Sequence, residues 1–179
     1  MKNKDIQIEK NFLPPIFFNK LKTILTSQEW PAFPWHFSSQ TVYDPYFKQD
    51  DHFMFTHILY FGLQQGASVW FKEFEPIVYF LDNKIKLKKL LRMKLNLYTN
   101  QNKIVKHGSH TDINKEDTPV PYVTVSILNF TTCNGGTIIK GKKYPSHENE
   151  VLIFDNVNKH SGIVQTDTQA RIVLNIATA

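Results

Sequence analysis

The second half of the chain is written in short alternating segments, and this pattern narrows the fold more than any other feature. From residue 91 to 98, Leu91, Met93, Leu95 and Leu97 alternate with Arg92, Lys94, Asn96 and Tyr98, the period of two that gives a strand two unlike faces. One face packs, and the other meets polar surroundings. Further strand candidates lie at 122–130, 137–140, 150–154, 162–165 and 171–177, separated by the turn signals Asn134-Gly135-Gly136 and Lys140-Gly141-Lys142. A run of short antiparallel strands calls for a sandwich or a rolled barrel.

The first half reads differently. Residues 6–8 suit a short strand. Pro14-Pro15 opens a predicted helix carrying Ile16, Phe17, Leu21, Ile24 and Leu25 at helical spacing. Residues 30–37 are rich in aromatics and proline, and 44–51 (DPYFKQDD) read as an exposed loop. Pattern alone does not separate strand from helix at 56–61 and 68–71, whereas 73–81 is a predicted helix with Phe74, Ile77, Val78 and Leu81 on one face. The expectation is a mainly β protein with flanking helices (α+β), helices mainly in 1–90 and strands mainly in 91–179. No repeat or linker-like tract interrupts the 179 residues, so one domain is expected.

The single cysteine, Cys133, has no internal partner and is compatible with a reducing compartment. The charged N-terminus lacks an apolar signal core, and no uncharged apolar run approaches the roughly 20 residues that span a bilayer. A cytoplasmic protein without a membrane segment is expected. The net charge of +5 comes from dispersed lysines, which read as solvated surface rather than a nucleic-acid footprint. Only two arginines occur, Arg92 and Arg171.

Between the alternating strand and the next lies His107-Gly108-Ser109-His110-Thr111-Asp112. His110 and Asp112, two apart on an extended segment, can point the same way and supply half a metal site. An imidazole and a carboxylate suit a borderline divalent metal, and a second histidine would complete a facial triad with open coordination positions. Of the downstream candidates, His160 follows an apolar strand and begins another, whereas His147 sits in a polar turn; His160 is preferred. His107 is set aside because only His110 is in register with Asp112. Eleven residues beyond His160 on the last predicted strand stands Arg171, whose guanidinium can hold a carboxylate through parallel charge-assisted hydrogen bonds.

The succession His110-Thr111-Asp112, His160, Arg171 resembles the HxD...H...R pattern of 2-oxoglutarate- and Fe(II)-dependent oxygenases. Asn134-Gly135-Gly136-Thr137 is similar to the Gly-Gly-Thr element these proteins carry between the metal motifs, and 151–155 to the strand before the distal histidine. The likeness is greatest to prolyl-4-hydroxylase-like members, in particular short phage-encoded ones, and extends loosely to Asn11-Phe12-Leu13-Pro14 and Pro34-Trp35. It implies a double-stranded β-helix (jelly roll) and Fe(II) held by His110, Asp112 and His160. It also implies 2-oxoglutarate as co-substrate bound through Arg171 with Tyr98 and Asn96, O2 as oxidant, and no catalytic residue beyond the metal ligands. The substrate class it implies is a protein side chain of prolyl type, with a small molecule as the other possibility.

Asn96-Leu97-Tyr98 also resembles the Asn-x-Tyr element of AlkB-type nucleic-acid demethylases, but their terminal motif has a second arginine and residues 171–177 have none. Two further readings stay open: a zinc hydrolase using the same three ligands, and a non-catalytic jelly-roll binding module. Arg92 and Lys94 share the polar face of the 91–98 strand and are expected to be solvated, with contact to a substrate anion as the other reading.

Overall fold

The computed structural model describes residues 6–42, 52–62, 66–116 and 118–179; the predicted loop at 44–51 lies outside the described residues. In chain order the elements are β1 (Gln7–Glu9), α1 (Pro15–Thr26), β2 (His36–Ser38), β3 (Met54–Phe61), β4 (Gly66–Ala67), α2 (Phe71–Phe74), α3 (Pro76–Ile85) and β5 (Leu90–Thr99). There follow β6 (Asn114–Lys115), β7 (Thr118–Pro119), β8 (Thr124–Asn129), β9 (Cys133–Ile139), β10 (Lys142–Ser146), β11 (Val151–Asp155), β12 (His160–Ile163) and β13 (Ala170–Thr178). The large sheet runs β1-β11-β8-β13-β5-β3-β2 with β4 on β3, and a smaller sheet runs β10-β9-β12. All the pairings are antiparallel. The two sheets form the expected jelly roll.

The alternation read in the sequence decides what each face of the large sheet meets. Met93 and Leu95 of β5, Leu128 of β8 and Ile172, Leu174 and Ile176 of β13 point to one side, where they form a core with Leu21 and Leu25 of α1 and Ile77 and Leu81 of α3. Each such fully buried aliphatic side chain contributes about 1.5–3 kcal/mol. The other face carries Tyr98, Val125, Ile127, Phe154 and Val173, which pack towards Ile139 of β9 and Tyr144 of β10. The polar residues of β5 therefore face the interior of the roll, not solvent.

Pro15 opens α1 as expected, but its buried residues are Phe18, Leu21 and Leu25, while Ile16 is 88% exposed. Residues 54–61 resolve as strand β3. The helix expected at 73–81 is split, with Pro76 opening a new helix after the single turn of α2. Asn134-Gly135-Gly136, read as a turn, is strand instead, inside β9. Both glycines are there for space. A Cβ on Gly136 would sit against the Tyr144 carbonyl, and one on Gly135 would sit 2.8 Å from the Ile163 carbonyl and 3.1 Å from Cδ of Arg171. The turn at 140–142 is a turn, with Lys140 and Gly141 both at positive φ as a tight hairpin connection requires.

Candidate metal centre

His110 and His160 are brought together by backbone pairing. Residues 105–110 run antiparallel beside β12, with His110 N–H donating to the His160 carbonyl at 3.0 Å and His160 N–H to the His110 carbonyl at 2.9 Å. Directly opposed residues project to the same side, and the two rings lie 4.4 Å apart. Asp112 is placed by a buried asparagine. Asn156 accepts from the backbone N–H of Asp112 and Ile113 at 3.0 and 3.1 Å and donates to the Ile113 carbonyl at 2.6 Å. One ligand atom from each of His110, Asp112 and His160 then falls within 4.8 Å of the others. Nδ1 of His110 faces the Gly108 carbonyl at 3.2 Å. A carbonyl can only accept, so Nδ1 carries the proton and Nε2 is left as a lone-pair donor.

The Asp112 carboxylate is held by Arg92 and by Asn175, a residue with no expected role. Arg92 Nη2 donates to Oδ1, Asn175 Nδ2 donates to Oδ2 at 3.0 Å, and Arg92 Nη2 also donates to Asn175 Oδ1 at 3.0 Å. Burial would raise the Asp112 pKa, but Arg92, the two histidines and Asn175 overcome it and hold the carboxyl well below its usual range. Burial pushes His160 down to about 4 against the pull of Asp112, so its imidazole is neutral near pH 7. Two imidazoles and one carboxylate, arranged on a wall that also lines a cavity, fit a divalent first-row metal. Arg92 is thus not solvated as expected: its side chain is 17% exposed and its guanidinium ends on Asp112.

Along β5 the cavity face runs Arg92, Lys94, Asn96, Tyr98, and the paired strand β13 adds Arg171, Val173 and Asn175, with Arg171 opposite Tyr98. Arg171 is 1% exposed. Its one hydrogen bond among the described residues is from Nη2 to Thr137 Oγ1 at 3.3 Å, and its Nε has no partner. The guanidinium lies 5.6 Å over the Tyr98 ring. Burial raises the Tyr98 pKa, keeping the phenol protonated as a donor. Asn96 Oδ1 is buried without a hydrogen-bond partner among the described residues. His107 stands outside the His110-Asp112-His160 cluster: its ring lies tilted against Tyr98 at 5.0 Å, its backbone N–H donates to the Gly162 carbonyl, and burial drives its pKa down to about 3.

These groups line one cavity of about 580 Å³, a size suited to small ligands. Lys94 lines it as well, so its expected solvated role also gives way. His147 lies in the turn after β10, and the cavity lining does not include it. The signal for Asn175 was present in the sequence, since it shares the period-two face of Arg171 within an otherwise apolar strand. Asn156 gave no such signal, because its role depends on a backbone turn 44 residues earlier in the chain.

No protein-family model matches the chain, and no curated protein matches it in sequence. Solved structures match in fold. A 2OG-Fe(II) oxygenase family oxidoreductase from Burkholderia pseudomallei superposes with a TM-score of 0.66 at 8% identity, over 97% of this chain and 85% of its own. A prolyl-4-hydroxylase from Pseudomonas putida gives 0.61 at 11% identity, over 97% and 91%. The viral collagen prolyl hydroxylase of Paramecium bursaria Chlorella virus 1, in a 2OG complex, gives 0.59 at 12% identity, over 98% and 97%. The chain has the fold of these oxygenases. Among the described residues no helix is long and apolar enough to cross a membrane.

Proposed function

We propose that the protein is a 2-oxoglutarate- and O2-dependent oxygenase in which His110, Asp112 and His160 hold Fe(II) and Arg171, with Tyr98 and Asn96, binds 2-oxoglutarate. One observation carries the reading: a wholly buried guanidinium with a single 3.3 Å hydrogen bond among the described residues shares its cavity with a His-Asp-His cluster. An uncompensated buried charge costs several kcal/mol, and the cost is removed by a carboxylate accepting from the fork. A zinc hydrolase needs the three ligands but gives Arg171 no such partner, and a plain binding module needs neither.

Bound Fe(II) supplies the activation of O2 that couples decarboxylation of 2-oxoglutarate to substrate oxidation. The chain's own residues bind and orient. Arg92 and Asn175 occupy Asp112 from behind, which fixes the carboxylate's direction. The Tyr98 phenol donates, Asn96 offers an amide beside it, and Val173 and Ile127 give the cavity apolar wall that limits water. The substrate reading from fold likeness is a protein side chain of prolyl type or a small molecule.

The test is anaerobic addition of Fe(II) and then 2-oxoglutarate to the metal-free protein, followed by visible absorption. A charge-transfer band that needs both additions is expected. Its absence at saturating ligand would overturn the reading and turn attention to zinc-dependent hydrolysis.

A further inference from the structure

The cavity-facing ladder of β5 has four members. Arg92 ends on Asp112, Tyr98 lies beneath the Arg171 guanidinium, and Asn96 stands next to Tyr98. Lys94, between Arg92 and Asn96 and opposite Asn175 on β13, has no hydrogen bond or ion pair to any described residue, yet it lies on the cavity wall. Lysines ordinarily carry their ammonium out to water. Burial and the neighbouring Arg92 instead pull the Lys94 pKa down to about 8, with Asp112 opposing them.

The charges around it do not balance. Asp112 is the only acid among the described residues lining the cavity, and Arg92 already matches it, whereas Lys94, Lys159 and Arg171 add three more cations. A dianionic co-substrate answers Arg171 and the metal, which leaves Lys94 without a counter-charge among the described residues of the cavity, whose lining also includes the exposed Lys159. An ammonium held from water without a partner is costly, and an anion placed there removes the cost.

We infer that Lys94 anchors an anionic group, a carboxylate or a phosphate monoester, on the molecule to be oxidised, with Lys159 as the second cation. The inference rests on the oxygenase reading and narrows it. A neutral prolyl ring offers an ammonium nothing to bind, so the substrate is an anionic small molecule rather than a prolyl peptide.

The experiment is calorimetric titration of the Mn(II)-loaded protein with acetate and, separately, methyl phosphate, with and without saturating 2-oxoglutarate, for the wild type, Lys94→Gln and Lys94→Arg. With 2-oxoglutarate present, one of the two anions binds the wild type and binds Lys94→Gln about tenfold or more weakly, the order set by one lost hydrogen bond to a charged group. Lys94→Arg restores most of the affinity, and 2-oxoglutarate binds all three proteins alike. Which anion binds tells a carboxylate from a phosphate. The inference is overturned if neither anion binds, if Lys94→Gln binds as the wild type does, or if Lys94→Gln loses 2-oxoglutarate instead, which would give the lysine to the co-substrate. Failure of 2-oxoglutarate to bind the wild type sinks the oxygenase reading separately, and the titrations without it then still decide the role of Lys94.

Discussion

Replacing Arg171 by methionine separates a ligand-binding guanidinium from a structural one, because the two roles predict opposite signs for stability. The side chain is 1% exposed and, among the described residues, holds one 3.3 Å hydrogen bond and has an unpartnered Nε, so the ligand-free fold gains little from its charge. Methionine fills much of the same volume without that charge. Replacing a poorly compensated buried ion by a hydrophobic residue is neutral or stabilising by about 1–4 kcal/mol. At roughly 2–4 °C per kcal/mol for a chain of this size, the metal-free variant should melt at or above the wild-type temperature. Binding moves the other way. Two parallel hydrogen bonds to a carboxylate, at about 1.5–3 kcal/mol each, amount to a loss of roughly 100-fold to 10,000-fold in 2-oxoglutarate affinity. Differential scanning calorimetry of the metal-free proteins and titration of the Mn(II)-loaded ones measure both quantities. A variant that melts well below the wild type while keeping its 2-oxoglutarate affinity would refute the reasoning and make Arg171 a packing residue.

The same geometry fixes further outcomes. Arg92→Met and Asn175→Ala, which release the Asp112 carboxylate, should each weaken metal affinity by about 10–100-fold; Co(II) titration followed by its visible spectrum tests this, and unchanged affinity would remove their role in orienting the ligand. His160→Ala should abolish turnover and weaken metal binding while leaving the circular dichroism spectrum unaltered; an active variant would remove His160 from the ligand set. His57, His107 and His160 are all held below the ordinary histidine value of 6.5 by burial, His107 at about 3 and His160 at about 4. The unfolded chain therefore binds more protons, and the stabilisation is complete above pH 6.5 and is lost as pH falls towards 4 and then 3. Urea midpoints of the metal-free protein should accordingly drop between pH 7 and pH 4.5, and a flat profile over that range would contradict the burial of these rings.

Strands were legible where apolar and polar residues alternate strictly, and not at 56–61, where they do not. The segment 91–98 became β5 and 171–177 became β13 with bounds shifted by a residue or so, because alternation reports burial directly. β10 was missed: Lys142–Ser146 carries two lysines and a proline, and its place is set by pairing with β9 rather than by its own pattern. The Gly-Gly stretch misled for a related reason. Glycine in a strand records close approach by other backbone, which no local signal distinguishes from a turn. At the site, the sequence pointed to His110, Asp112 and His160, which the fold brings within 4.8 Å of one another, but not to what holds them there. The stretch 171–177 has no second arginine, yet its last residue, Ala177, pairs with Arg92 across the sheet, and Arg92 brings a guanidinium to Asp112. Spacing along one strand cannot reveal a group delivered from the neighbouring strand.

The β5–β13 pairing runs without irregularity from Ala170 opposite Thr99 to Ala177 opposite Arg92, and this has a consequence for how faithfully the chain folds. A strand displaced by one residue turns every side chain to the other face. For β5 such a slip would drive Arg92, Lys94 and Asn96 into the layer now filled by Leu21, Ile77 and Leu81, and would send Met93 and Leu95 into the cavity. Two ammonium or guanidinium groups in a dry aliphatic layer are enough to make the slipped pairing uncompetitive. The polar ladder thus serves as an error check on strand registration, and a variant with Arg92, Lys94 and Asn96 made apolar would lose not only the polar wall of the cavity but the penalty that keeps the wrong pairing empty.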